Sequence, residues 1–316
     1  MSILVSINCI TYNHEDYIAD ALESFLMQKT KFDFEIVIGE DCSTDKTREI
    51  VEHYINKYPE KIRLITSEAN VGSQKNLLRI AEQSKGKYIA LCEGDDYWTD
   101  PYKLQKQIDY MEENTDCSLC VHASEIVEQD KSPTGKYVKP YYGNKVVEIG
   151  EVILGGGGLF PTASIVYPKQ LMDNPPEFFG NGIVGDYPLV MILANKGKVF
   201  YIDEIMSAYR TGVFGSWSQR NLSGENLSAK IIKNAKGLIW ILERFNEYSE
   251  YKYSTSIDFL ISKNKALILL EQKDTMFFKT QYFKDLTLIK KVKMYTLINF
   301  PSLYSNLAKL SKKYSK

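Results

Sequence analysis

The run Tyr88-Ile-Ala-Leu-Cys-Glu93-Gly94-Asp95-Asp96-Tyr97-Trp98 reads as a buried strand that stops abruptly in three carboxylates. Strand interiors favour apolar, β-branched and aromatic side chains, so Glu93, Asp95 and Asp96 crowd like charge where burial and repulsion both penalise it. A divalent cation relieves that penalty. Hard cations such as Mn2+ or Mg2+ take few protein carboxylates and complete their shell with phosphate oxygens and water. A solvated acidic turn is the plainer alternative for this segment alone.

Outward from this run the pattern alternates between strand and helix. Upstream, residues 4–10 read as a first strand, and Ile18, Ala21, Leu22, Phe25 and Leu26 recur at helical spacing. Residues 34–39 form a second strand closed by Glu40 and Asp41. Ser43 or Thr44 can then cap a helix that ends before Pro59. Residues 62–66 form a third strand, and a helix over 73–84 stops at Gly86. Downstream, Asp100 and Pro101 open a helix and 118–127 is strand-like. Residues 129–144 form a polar loop or lid, and Gly155 to Gly158 either admit a ligand close to the backbone or connect flexibly. Residues 162–167 are strand-like, 185–194 helical and 199–209 a further strand.

Such alternation predicts an α/β, Rossmann-like, mixed and mostly parallel sheet flanked by helices, with ligands beyond the carboxyl ends of its strands. The polar clusters Thr11-Tyr12-Asn13, Glu40-Asp41 and Glu93 to Asp96 all fall on that rim. From residue 224 the pattern turns to helices alone. The expected division is therefore a catalytic domain over 1–223 and a helical region over 224–316, the latter associating with a membrane or an oligomer partner.

At 316 residues, 44% hydrophobic and 25% charged, the chain can bury a substantial core. A net charge of −1 argues against a nucleic-acid binder. It hides an asymmetry: residues 273–316 carry ten lysines against Asp274 and Asp285. A basic amphipathic end of this kind suits an anionic lipid surface. No run is long and apolar enough for a transmembrane helix and no charged leader precedes the first strand, so a cytoplasmic location is expected, at the inner face of the plasma membrane if the tail binds lipid. Five cysteines fit a reducing compartment, and the Cys117/Cys120 pair lies in an apolar strand without a second pair to complete a zinc site.

The combination of Val5-Ser-Ile-Asn-Cys-Ile-Thr11-Tyr12-Asn13, Ile36-Val-Ile-Gly-Glu40-Asp41-Cys-Ser43-Thr-Asp45, Glu93-Gly94-Asp95-Asp96, Gly185-Asp186-Tyr187 and Tyr209-Arg210 through Gly215-Ser216-Trp217-Ser218 resembles the family 2 glycosyltransferases of GT-A fold, over residues 3–218. The resemblance implies an inverting transfer from a nucleotide sugar to an acceptor hydroxyl, with Mn2+ or Mg2+ as cofactor. It implies that Tyr12 stacks on a pyrimidine beside Thr11 and Asn13, and that Asp41 accepts the imide hydrogen of uracil or thymine. Asn70 and Lys75 would lie under the nucleotide, and Glu93, Gly94 and Asp95 by ribose and metal. Asp95 or Asp96 would be the direct metal ligand, Asp186 the general base, and Arg210 and Trp217 would close over the diphosphate. Many relatives place a histidine after the Tyr-Arg pair; here Thr211, Gly212, Val213 and Phe214 stand there.

Three other readings compete. No GxGxxG follows the first strand, as a dehydrogenase requires. A sugar nucleotidyltransferase would carry a glycine- and lysine-rich phosphate loop where Thr11-Tyr-Asn-His-Glu-Asp stands. A non-catalytic nucleotide-sugar scaffold is the third. Donor sugar, acceptor and oligomeric state stay open; the expected partners are a UDP- or TDP-sugar, a glycan or lipid-linked acceptor, and no nucleic acid.

Overall fold

The computed structural model describes residues 3–222 and 224–300 and divides the chain into two compact units, 1–216 and 217–316. In the first unit, strands β1 (Val5–Thr11), β2 (Phe34–Glu40), β3 (Ile62–Thr66) and β4 (Tyr88–Leu91) run parallel in the order β3-β2-β1-β4. β1 and β2 are buried along almost their whole length, including the polar side chains Ser6, Asn8 and Glu35 that lie between their apolar positions. The sheet continues through β9 (Val166–Pro168), antiparallel to β4, then β6 (Cys117–Val127), β10 (Lys198–Arg210) and β5 (Tyr97–Trp98). β6 and β10 are parallel; β7 (Pro133–Val138) adds to β6, and β8 (Lys145–Val147) to β10, both antiparallel.

Helices α1 (Ile18–Leu26), α2 (Thr47–Lys57), α3 (Ser73–Gln83) and α4 (Lys103–Glu113) cover the sheet. The apolar stripe of α1 is fully buried through Ile18, Ala21, Leu22 and Phe25, and Phe25 meets the Trp98 ring edge-on at 4.9 Å. Helices α5 (Ile149–Gly155) and α6 (Asp186–Lys196) complete this unit.

Several expectations are corrected. The stretch 129–144 is not a loop throughout: residues 133–138 form β7, an exposed edge strand in register with β6 through Glu125 and Tyr137, and polar because no core covers it. Helix α2 begins at Thr47, since Ser43 and Thr44 bind the loop after β1 instead of capping. Residues 162–164 form a 3-10 turn, leaving only β9 as strand. The glycine run ends α5 and turns through Gly156 at a left-handed φ of 68°, a conformation glycine adopts without strain.

The second unit contains α7 (Trp217–Leu222), α8 (Leu227–Tyr248), α9 (Ser254–Glu271), α10 (Gln281–Asp285) and α11 (Leu288–Asn299). A small core of Ala266, Phe277 and Ile298 joins its later helices, with Met294 packed alongside. Leu288, Ile289, Val292 and Tyr295 on α11 are exposed. No helix among the described residues is long and apolar enough to cross a membrane. The last part of the expected basic segment, residues 301–316, lies outside the described residues.

Candidate active site

The loops after β1 and β2 are laced together by the polar residues that mark them. Asn13, with a left-handed φ of 55°, accepts the Thr44 N–H at 2.8 Å through Oδ1 and donates its own N–H to Ser43 Oγ at 3.0 Å. His14 N–H donates to Thr47 Oγ1 at 2.7 Å, and Glu15 N–H to Asp45 at 3.0 Å. Buried Glu40 accepts the Ser43 N–H through one oxygen and leaves the other without a donor. Asp41 accepts the N–H groups of Val71 and Gly72 at 2.8 and 2.9 Å and the Ser67 hydroxyl at 3.1 Å. It therefore fixes the loop that leads into α3. Asn70 and Lys75 stand exposed around that loop, and Tyr12 shows 38% of its surface. An open pocket of about 230 Å³ lies between the start of α3, at Gly72, Ser73 and Lys75, and the turn at Gly180 and Gly182.

The acidic turn follows β4. Gly94 is a packing requirement, because a Cβ there would lie 2.7 Å from Thr11 Oγ1 and 3.0 Å from His14 Nδ1. Asp96 is buried; its Oδ1 accepts the Arg210 backbone N–H at 2.8 Å, and its Oδ2 has no donor. Asp95 keeps 15% of its side chain exposed. Burial, then the neighbouring Asp95 and Glu93 charges, raise the Asp96 carboxyl well above its ordinary range. Glu93 is pushed up to about 8 by burial, then by Asp95 and Asp186. No cluster of three or more His, Cys, Asp or Glu side chains forms a metal cage among the described residues. The residues nonetheless fit a hard cation that shares few protein carboxylates with a diphosphate, for a buried carboxylate oxygen without a donor is what such an ion satisfies.

Arg210 reaches this turn from the end of β10 but faces protein. Its side chain is fully buried, donates to the Asp95 carbonyl at 2.5 Å and pairs with Asp20 at 2.6 Å. Its guanidinium also lies 4.9 Å from the Tyr17 ring and 5.0 Å from the Tyr97 ring. These contacts hold the acidic turn against α1, which departs from the diphosphate contact expected of Arg210. Asp20, Tyr17 and Tyr97 escape a reading of the sequence, since nothing in their local pattern signals a common cation.

Asp186 is the first residue of α6, and its Oδ1 accepts the Tyr187 N–H at 2.7 Å. Burial raises its carboxyl above the ordinary range. The glycine run turns beside it: a Cβ on Gly157 would sit 3.7 and 3.8 Å from its two oxygens. Of the candidates, Thr11, Glu93, Gly94, Asp95, Asp96 and Asp186 thus come together, with Arg210 behind them. Asp41, Asn70 and Lys75 group at the head of α3. Trp217 opens the second unit, with 39% of its surface exposed.

Comparison with known proteins bears on the family and the fold. Residues 6–158 match the model of Glycosyl transferase family 2. An uncharacterized protein of Mycobacterium tuberculosis is 33% identical over 67% of this chain, and the match spans 60% of that relative's length. The putative teichuronic acid biosynthesis glycosyltransferase TuaG of Bacillus subtilis is 35% identical over 43% of the chain and 52% of its own. The crystal structure of Staphylococcus aureus TarS 1-349 in complex with UDP-GlcNAc shares the fold, with a TM-score of 0.60 over 94% of this chain and 79% of that one, at 17% identity. The family model runs from β1 through the acidic turn after β4 to α5, and with relatives of the same class it makes residues 6–158 a glycosyltransferase family 2 segment, in a chain that shares the GT-A fold.

Proposed function

We propose that the protein is an inverting glycosyltransferase that moves a sugar from a UDP- or TDP-sugar to an acceptor hydroxyl, with Asp186 as general base. The observation that carries this reading is the buried acidic turn after β4, where Glu93, Asp95 and Asp96 crowd together and Asp96 Oδ2 has no donor. In the reaction, the acceptor oxygen bonds to the anomeric carbon as the bond to the nucleoside diphosphate breaks on the opposite face, so configuration inverts. Asp186 takes the hydroxyl proton, and burial makes its carboxylate a stronger base. Asp95 and Asp96 would hold Mn2+ or Mg2+, which when bound neutralises charge on the leaving diphosphate as a Lewis acid. Thr11 and Asn13 shape the nucleotide loop, and the exposed Tyr12 ring suits stacking on the base. Asp41 and Asn70 would meet the base edge, Lys75 the phosphates, and Glu93 and Gly94 the ribose. Arg210 acts here by positioning the acidic turn.

A glycan or lipid-linked acceptor in cell-surface polysaccharide assembly is the proposed acceptor class, supported by the likeness to TuaG. The exposed apolar face of α11, flanked by Lys290, Lys291 and Lys293, supports contact with the anionic inner face of a plasma membrane. The test pairs binding with turnover. UDP or TDP with Mn2+, at about 100 times its dissociation constant, should stabilise the fold by about 2.7 kcal/mol. Asp186→Asn should keep that stabilisation while kcat with the matching nucleotide sugar falls about 10²- to 10⁴-fold. Failure of every nucleoside diphosphate to stabilise the folded protein would remove the reading and leave the acidic turn structural or vestigial.

A further inference from the structure

His14, in the loop after β1, approaches the acidic turn and enters none of the roles above. Its Nε2 lies 3.9 Å from Asp95 Oδ2, and both side chains keep a small exposed area, 14% and 15%. Its other ring nitrogen, Nδ1, is 3.3 Å from the Thr11 hydroxyl. The ring is also held against Gly94, where a Cβ would come within 3.0 Å of Nδ1. When Nδ1–H donates to Thr11 Oγ1, Nε2 is left with its lone pair on the Asp95 side. A lone pair and a carboxylate oxygen are both acceptors and cannot hydrogen-bond to each other. They can share an ion, whose bonds to nitrogen and oxygen run about 2.0–2.2 Å. A second observation in the same turn is the buried Asp96 Oδ2, which has no donor.

We propose that His14 Nε2, with Asp95 Oδ2, is a direct ligand of the divalent cation at the donor diphosphate, and that this nitrogen gives the site its preference for Mn2+ over Mg2+. The inference rests on the nucleotide-sugar reading and deepens it. Imidazole nitrogen is a softer donor than carboxylate or water, so it favours a transition ion over Mg2+, which prefers oxygen. Thr11 is then a positioning residue: its hydroxyl holds the tautomer and the ring plane, as the partners of metal-bound histidines do.

The experiment uses the full chain, Mn2+ and UDP. Electron spin-echo spectroscopy of bound Mn2+ should reveal nitrogen modulation from a directly bound imidazole. His14→Ala should abolish the modulation, weaken Mn2+ binding by about tenfold or more, and bring the Mn2+/Mg2+ affinity ratio closer to one. His14→Gln, which keeps a polar side chain of similar reach, should bind Mn2+ without nitrogen modulation and guards against loss of fold. If Mn2+ binds in an Asp95-dependent way but without nitrogen modulation, or as tightly to His14→Ala, the inference is overturned while the metal-dependent reading stands. If the wild type binds no Mn2+ beside UDP, or Asp95→Asn binds it undiminished, the metal site fails and His14 falls with it.

Discussion

Asp41 and Arg210 show how far a residue's type can be read without its neighbours. Both carry the charge expected at a nucleotide site, yet each is first committed to the protein: Asp41 to the loop before α3, Arg210 to Asp20 and the acidic turn. Removal of Arg210 would leave the Asp95 carbonyl without its donor and Asp20, among the described residues, with Lys131. Because Asp20 is 26% exposed, water recovers part of that loss. Arg210→Ala is expected to destabilise the fold by about 2 kcal/mol, and Arg210→Lys by less. Chemical denaturation with and without UDP separates the roles: a positioning residue lowers stability in both, whereas a diphosphate ligand would leave the unliganded protein unchanged.

At the scale of elements, α4 begins on a lysine that composition alone would place in solvent. Lys103 is fully buried, its Nζ 3.9 Å from the centroid of the Trp98 ring and without a hydrogen-bond partner, and burial pushes its pKa down to about 7. Below pH 7 the native state keeps a charge out of water that the unfolded chain leaves solvated. Between pH 7 and the ordinary value of 10.5 the native side chain is neutral while the unfolded one is still protonated, so stability rises with pH across this window. Lys103→Met should therefore raise Tm most at or below pH 7, with the gain shrinking toward pH 10.5. A gain that does not vary with pH would show that lost packing or the Trp98 contact, not the buried charge, governs this position. The same scale explains Gly94, where the acidic turn and the loop after β1 approach too closely for any side chain.

For the whole molecule, the first unit carries the family match and the second is a set of helices with a small core of its own. Met294 and Ile298 turn toward that core, whereas Leu288, Ile289, Val292 and Tyr295 stay exposed among lysines. Each lysine near an anionic bilayer contributes about 1 kcal/mol. Lys290→Glu with Lys291→Glu and Lys293→Glu should therefore lower partition onto phosphatidylserine vesicles by at least about tenfold, and raised salt should do the same to the wild type. Sedimentation that is equal for both proteins would sink the membrane contact.

The order of strands and helices in the first half of the chain, the parallel sheet and the acidic terminus of β4 followed from sequence, because hydrophobic period and turn chemistry are local properties that neighbouring residues impose on one another. The run from Tyr88 to Trp98 carried both the strand and the carboxylates. Tertiary structure alone decided that β7 pairs at an edge, that Gly94 sits under Thr11 and His14, and that Arg210 turns inward to Asp20. It also brought Asp186 within electrostatic reach of Glu93. Those relations join residues far apart in the chain, and side-chain direction, burial and the dielectric around a charge exist only after the sheet has assembled.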